Sequence, residues 1–107
     1  MKRLQQQEEF SLALKSQAKI EGWVAAHSIF NHLGFARLGI VVGKRVMSRA
    51  VDRNRAKRLI REVFRHEAQN LGSLDIVIRV KMNPFIKNTE IPVFSIVRLF
   101  ESIKKCK

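Results

Sequence analysis

Apolar positions follow a helical period in three stretches of the chain and read as strand in three others. From Glu8 to Ala18, Phe10, Leu14 and Ala18 recur at i, i+4 and i+8 with Lys15 and Lys19 beside them, which predicts a first amphipathic helix. Trp23 to Phe30 alternates Trp23, Ala25, His27 and Ile29 against Val24, Ala26, Ser28 and Phe30. A second strand-like run, Ala36 to Val42, follows the turn signal Asn31-His32-Leu33-Gly34, and the two runs read as a hairpin. From about Arg49 to Leu71 the period changes to 3.6. Ala56, Leu59, Ile60, Val63 and Phe64 make one apolar stripe, and Gly72 stands where a C-cap glycine belongs. Asp75 to Val80 is a buried strand by composition, ended by Met82-Asn83-Pro84. A last helix starts near Glu90, with Pro92 in the first turn where its missing N–H costs nothing; Val93, Ile96, Val97, Phe100 and Ile103 form its inner face. These elements give α-β-β-α-β-α, an α/β class with room for a further short strand.

Length makes this one unit. At 107 residues there is a single core, and no repeat or linker divides the chain, so residues 1–107 read as one domain. Hydrophobic residues at 46%, with seven Phe, suffice for a core without disulfides, which excludes both a disordered chain and a cysteine-stapled scaffold. The one cysteine, Cys106, offers neither an internal disulfide nor a metal-ligand pair, and a reducing compartment follows. No apolar run approaches the roughly 18 residues of a membrane span, and the polar N-terminus lacks the apolar core of a signal peptide. The expectation is a cytoplasmic protein with no membrane attachment.

Charge narrows the class of partner. Lys plus Arg number 21 against nine Asp plus Glu, for a net charge of +12 and a pI near 11, which suits a polyanion. Between Lys44 and Arg65 lie nine basic residues and two acids, Asp52 and Glu62, a net +7. Arg53, Lys57, Arg61 and Arg65 fall at successive i+4 positions and so form one ridge with Cβ atoms about 5–6 Å apart. Arg55 and Arg58 widen it, while the apolar stripe faces the core.

A solvated helix face is the ordinary reading of a charge run. Solvated faces mix signs, however, because like charges at i, i+4 repel by a few tenths of a kcal/mol per pair. Moreover, Arg49, Arg53, Arg55, Lys57 and Arg58 crowd the N-terminal half of the helix, where the macrodipole penalises cations by about 0.3–1 kcal/mol in the first turn. That cost disappears once an anion docks on the arginines and the free N–H groups, so the arrangement reads as a phosphate site.

The stretch Gly39-Ile40-Val41-Val42-Gly43-Lys44-Arg45-Val46, followed by Ala50-Val51-Asp52-Arg53-Asn54-Arg55-Ala56-Lys57-Arg58-Leu59-Ile60-Arg61-Glu62, resembles the protein subunit of bacterial ribonuclease P. The resemblance rests on Arg53-Asn54-Arg55, Lys57-Arg58 and Ile60-Arg61 in order, and only about Arg37 to Phe64 is specific. It implies a two-layer α+β fold, α-β-β-β-α-β-α, with a four-stranded sheet and a left-handed β-α-β crossover through the Arg-Asn-Arg helix. It also implies a function. The family's protein joins a large catalytic RNA, and the complex cuts the 5′ leader from precursor tRNA, with Mg²⁺ ions on the RNA doing the chemistry. Arg53, Asn54, Arg55, Lys57, Arg58 and Arg61 would then lie against the catalytic RNA, with Lys44 and Arg45 on the adjoining edge and Arg49 and Arg65 extending the surface. Phe10 matches an aromatic of the leader cleft, beside Leu14 and Lys15. This chain has no Tyr, and Leu14 stands where the next cleft aromatic belongs. For Phe10 and Trp23, ordinary core packing is the alternative.

Protein-based nuclease chemistry has no visible basis. Clustered carboxylates for Mg²⁺ or a His pair would be required. Asp52, Glu62 and Glu67 share a helix with many bases and read as intrahelical partners, and His27, His32 and His66 lack ligand spacing and read as surface or turn residues. Gly39 and Gly43 flank a strand without a phosphate-loop motif. No catalytic residue, no metal and no protein-bound cofactor is expected, only ribonuclease P RNA and the precursor tRNA 5′ leader as partners of an otherwise monomeric protein. Two rivals stand beside this reading. One is a general RNA-binding or ribosomal protein with the same helix; the other is a DNA-binding module that lays the helix in a major groove.

Overall fold

Residues 18–85 and 92–105, described by a computed structural model, hold four strands and two helices. The strands are β1 (Lys19–Glu21), β2 (Val24–Phe30), β3 (Arg37–Val41) and β4 (Leu74–Val80). The helices are α1 (Ala50–Leu71) and α2 (Pro92–Lys105). The expected helix over Glu8–Ala18, and with it Phe10, Leu14 and Lys15, lies outside the described residues except for Ala18 itself.

One sheet is formed, in the order β1-β2-β4-β3, antiparallel except for the parallel pair β3–β4. The hairpin expected between the runs at 23–30 and 36–42 is therefore corrected: β4 lies between β2 and β3. Asn31 explains why. Its backbone N–H donates to Ser73 O at 3.0 Å, its Nδ2 donates to Asp75 Oδ1 at 2.8 Å, and the Gly34 N–H donates to Ser73 Oγ at 2.8 Å. The 31–35 loop is thus anchored to the start of β4 and carries the chain past it to the far edge. The true hairpin partner of β2 is β1, joined through the tight Gly22–Trp23 turn, where Gly22 takes φ 56°. Three residues are too few to show a period, which is why the pattern leaves β1 unmarked.

Strand alternation separates two faces. Leu74, Ile76, Ile78 and Val80 of β4 join Val24, Ala26 and Leu38 beneath both helices, and Val77 points the other way among Ile29 and Val41. From α1 the core takes Ala56, Ile60, Val63, Phe64 and Leu71, with Leu59 partly buried. This is the expected stripe. The helix ends where Gly72 adopts φ 70°, the left-handed conformation a Cβ would strain.

On α2 the inner face is corrected by one step. Ile96, Leu99, Phe100 and Ile103 are buried, whereas Val97 is exposed. Spacings of three, four and seven place the first four on one stripe, and Val97 falls about 100° beyond Ile96 on the helical wheel. Val93 packs on the rim. The two helices meet at Phe64 and Phe100, with ring centroids 6.1 Å apart, and at Lys104, whose Nζ lies 2.7 Å from Glu67 and 3.0 Å from Glu101. Glu67 thus pairs across the helices and not within α1 as expected. Those two carboxylates hold the Lys104 ammonium above the ordinary lysine range. His27, read as a surface or turn residue, is instead buried on β2. Gly39 lies inside β3 and does not flank it.

Candidate nucleic-acid interface

Helix α1 lies on the sheet through one stripe and leaves its other side free. Ala56, Ile60 and Phe64 fix the buried side, so Asn54, Arg55, Arg58 and Arg65 are exposed while Lys57 and Arg61 are half-buried at the flank. Lys44, Arg45 and Arg49 are exposed just before the helix. A turn holds them there, in which the N–H groups of Val46 and Met47 both donate to Gly43 O, at 3.2 and 3.1 Å. Met47 is fully buried and anchors that turn in the core.

Arg53 differs from the rest of the ridge. Its Nη1 donates to Met47 O at 2.8 Å and to Ser48 O at 3.0 Å, so this side chain binds the preceding turn to the helix. At the opposite end Arg65 is paired with Glu62, which also lies 3.6 Å from His66. Arg55 extends sideways, its guanidinium 4.2 Å above the centre of the Phe85 ring.

The acids near this surface have partners other than the ridge cations, apart from the Glu62–Arg65 pair. Asp52, expected to pair within α1, instead accepts a hydrogen bond from Asn83 Nδ2 at 3.3 Å. Glu21 faces Arg98, Asp75 holds Arg37, and Glu67 and Glu101 share Lys104. Lys44, Arg45, Arg49, Lys57, Arg58 and Arg61 consequently have no acidic partner among the described residues. The N-cap position is Arg49, whose side chain makes no capping hydrogen bond. Lys44, Arg45 and Arg49 thus lie beside the first-turn N–H groups, where Asp52 is the one acid, and Lys57, Arg58 and Arg61 continue the cationic surface along the helix, an electrostatic setting for a phosphate chain.

Sequence spacing identified these cations because they are local to one helix. It missed Asn83 and Phe85, which reach Asp52 and Arg55 from the β4–α2 connection. Among the described residues, no group of three His, Cys, Asp or Glu side chains could hold a metal ion. No helix among them is long and apolar enough to cross a membrane.

A family model described as Ribonuclease P matches residues 1–92. The chain belongs to the ribonuclease P protein family. A ribonuclease P protein component of Legionella pneumophila is 42% identical over 80 residues, an alignment covering 71% of this chain and 66% of that relative. Because the chain spans just under two thirds of that relative, similarity of sequence is confined to the shared part. Among solved structures, an RNase P protein from Thermotoga maritima in complex with 1-(4-fluorophenyl)-2-thiourea superposes with a TM-score of 0.78 at 24% identity, covering 96% of this chain and 97% of that one. An RNase P protein of Staphylococcus aureus gives 0.76 at 25% identity, covering 99% and 94%. The four-stranded sheet with two helices on one face is thus the fold of ribonuclease P proteins.

Proposed function

We propose that this ribonuclease P family chain is the protein subunit of a ribonucleoprotein that removes the 5′ leader of precursor tRNA, and that it binds the catalytic RNA through α1 and the turn before it. One observation carries the reading. Among the described residues, Lys44, Arg45, Arg49, Lys57, Arg58 and Arg61 have no acidic partner; the first three stand just before the electropositive start of α1 and the other three on its exposed and flanking positions. Such a surface is costly for a solitary protein and favourable against a ribose-phosphate backbone.

In this reading Lys57, Arg58 and Arg61 contact phosphates, Lys44, Arg45 and Arg49 extend the contact past the helix start, Asn54 and Arg55 donate from its outer side, and Arg65 closes the row. Phe10, Leu14 and Lys15 line the leader cleft. The protein supplies no catalytic group. The Mg²⁺ ions of the reaction are assigned to the RNA, as the family resemblance implies. The partners are ribonuclease P RNA and precursor tRNA, and the compartment is the cytoplasm.

Reconstitution tests this directly. Added to the ribonuclease P RNA of its own organism at low Mg²⁺, the protein should restore leader cleavage that the RNA alone performs poorly. Cleavage by the nucleotide-free protein, or no stimulation of the RNA, would overturn it. Displacement of that RNA by duplex DNA at equal salt would favour a DNA-binding module instead.

A further inference from the structure

The connection between β4 and α2 takes no part in the interface derived above, yet it touches that interface twice. Asn83 Oδ1 accepts the Phe85 N–H at 2.9 Å while its Nδ2 donates to Asp52 in the first turn of α1. This closed turn presents Phe85 to two neighbours. One is Trp23, buried in the core, with centroids 6.0 Å apart and planes inclined at 57°; its Nε1–H donates to Pro92 O at 2.9 Å. The other is the Arg55 guanidinium, 4.2 Å above the ring centre.

An arginine on a helix surface samples many rotamers and loses that freedom when it docks. Contact with an aromatic ring removes part of the loss beforehand. With its central carbon 4.2 Å above the ring, the guanidinium keeps N–H donors that reach away from the ring and can serve a phosphate. We propose that Phe85, held by Asn83 and backed by Trp23, is a positioning residue for RNA binding: its ring sets the Arg55 guanidinium with its N–H edge available to a phosphate. This rests on the reading of α1 as the RNA-binding helix.

A double-mutant cycle on the full chain, binding the ribonuclease P RNA of its own organism, separates the possibilities. Phe85→Leu should weaken binding by roughly three- to tenfold, the cost of ordering one long side chain. Arg55→Ala should weaken it at least as much. The double variant Arg55→Ala, Phe85→Leu should bind no worse than Arg55→Ala alone, and Phe85→Tyr, which keeps the ring, should bind as the parent does. Asn83→Ala, which keeps the ring but frees its turn, should show a smaller loss that also vanishes in the Arg55→Ala background, and it decides the question if Phe85→Leu does not fold. Equal losses with and without Arg55 would make Phe85 a fold residue only, and an unaffected Phe85→Leu beside a weakened Arg55→Ala would likewise overturn the positioning role. Should Arg55→Ala and Arg58→Ala both bind as the parent does, the underlying assignment of α1 falls, and the positioning role with it.

Discussion

Arg37 grips Asp75 across the parallel β3–β4 pair with two hydrogen bonds, Nε–H to Oδ1 at 2.8 Å and Nη2–H to Oδ2 at 2.6 Å. The two are register partners, so this fork sits at the one place where the crossover through α1 brings two parallel strands side by side. Asn31 adds a third donor at Oδ1. Burial alone would push the Asp75 carboxyl up; the hydrogen bonds from Arg37 and Asn31, with the charge of Arg37, outweigh it and hold the carboxyl below the ordinary carboxylate range.

Stability should therefore depend on pH through Asp75. A carboxyl whose folded value is depressed stabilises the fold fully above its unfolded value, about 3.9, and that contribution is lost as pH falls through the lower folded value. Asp75→Asn should cost about 2–3 kcal/mol at pH 7, since the Arg37 guanidinium would lose its charged partner at a buried position of β4. In denaturant unfolding the gap between parent and variant should narrow as pH is lowered toward 3. A gap independent of pH would show that the carboxylate charge is not what the fork uses.

Arg61 and Arg65 belong to one ridge by spacing but differ in their neighbours. Arg61 has no acidic partner among the described residues, whereas Arg65 is engaged by Glu62. Each phosphate contact contributes about 0.7–0.9 to the slope of log K against log salt. Arg61→Ala should lower the slope for ribonuclease P RNA by about that amount, and Arg65→Ala by less. Equal changes would mean that Glu62 releases Arg65 on binding.

What the sequence made legible follows the range of each interaction. The span of α1 could be read almost to the residue because the stripe from Ala56 to Phe64 and the stop at Gly72 are local. The order of the sheet could not, because β2 and β3 are separated by β4 through the hold of Asn31 on Ser73 and Asp75, which lie some forty positions away. Phase alone misjudged α2 by one residue, since only packing against β1 and β2 distinguishes Leu99 from Val97. The cations of the interface were visible as a run. That Arg53 turns back to the Met47 and Ser48 carbonyls, and that Phe85 meets Arg55, depends on contacts no periodicity encodes.

Arg53 should behave as part of the scaffold. Removing its bonds to the Met47 and Ser48 carbonyls frees the turn that presents Lys44 and Arg45. Arg53→Ala should cost about 1–2 kcal/mol of stability and weaken RNA binding by more than its effect on the salt slope accounts for. Unchanged thermal unfolding would return Arg53 to the row of phosphate contacts.

Leader recognition is tested apart from the RNA-binding helix. Stacking of an unpaired base on an aromatic ring is worth about 1–3 kcal/mol, and only precursor tRNA carries a leader. Phe10→Ala should therefore weaken precursor binding by the holoenzyme while leaving mature tRNA binding near the parent's. Equal losses for both would assign Phe10 to the core.

Ser95 offers the opposite sign of change. It is completely buried on α2, and its Oγ has no hydrogen-bond partner among the described residues, so with none of them does the hydroxyl replace the hydration it loses on folding. Alanine removes that loss, and it is also the better helix former by a few tenths of a kcal/mol. The void left by one oxygen is small beside these gains. Ser95→Ala should raise stability by about 1 kcal/mol, a shift of roughly 4–8 °C in Tm for a domain of this size, with binding to ribonuclease P RNA unchanged. A destabilised variant would mean that the hydroxyl has a partner in solution, and backbone amide exchange in the first turns of α2 would locate it.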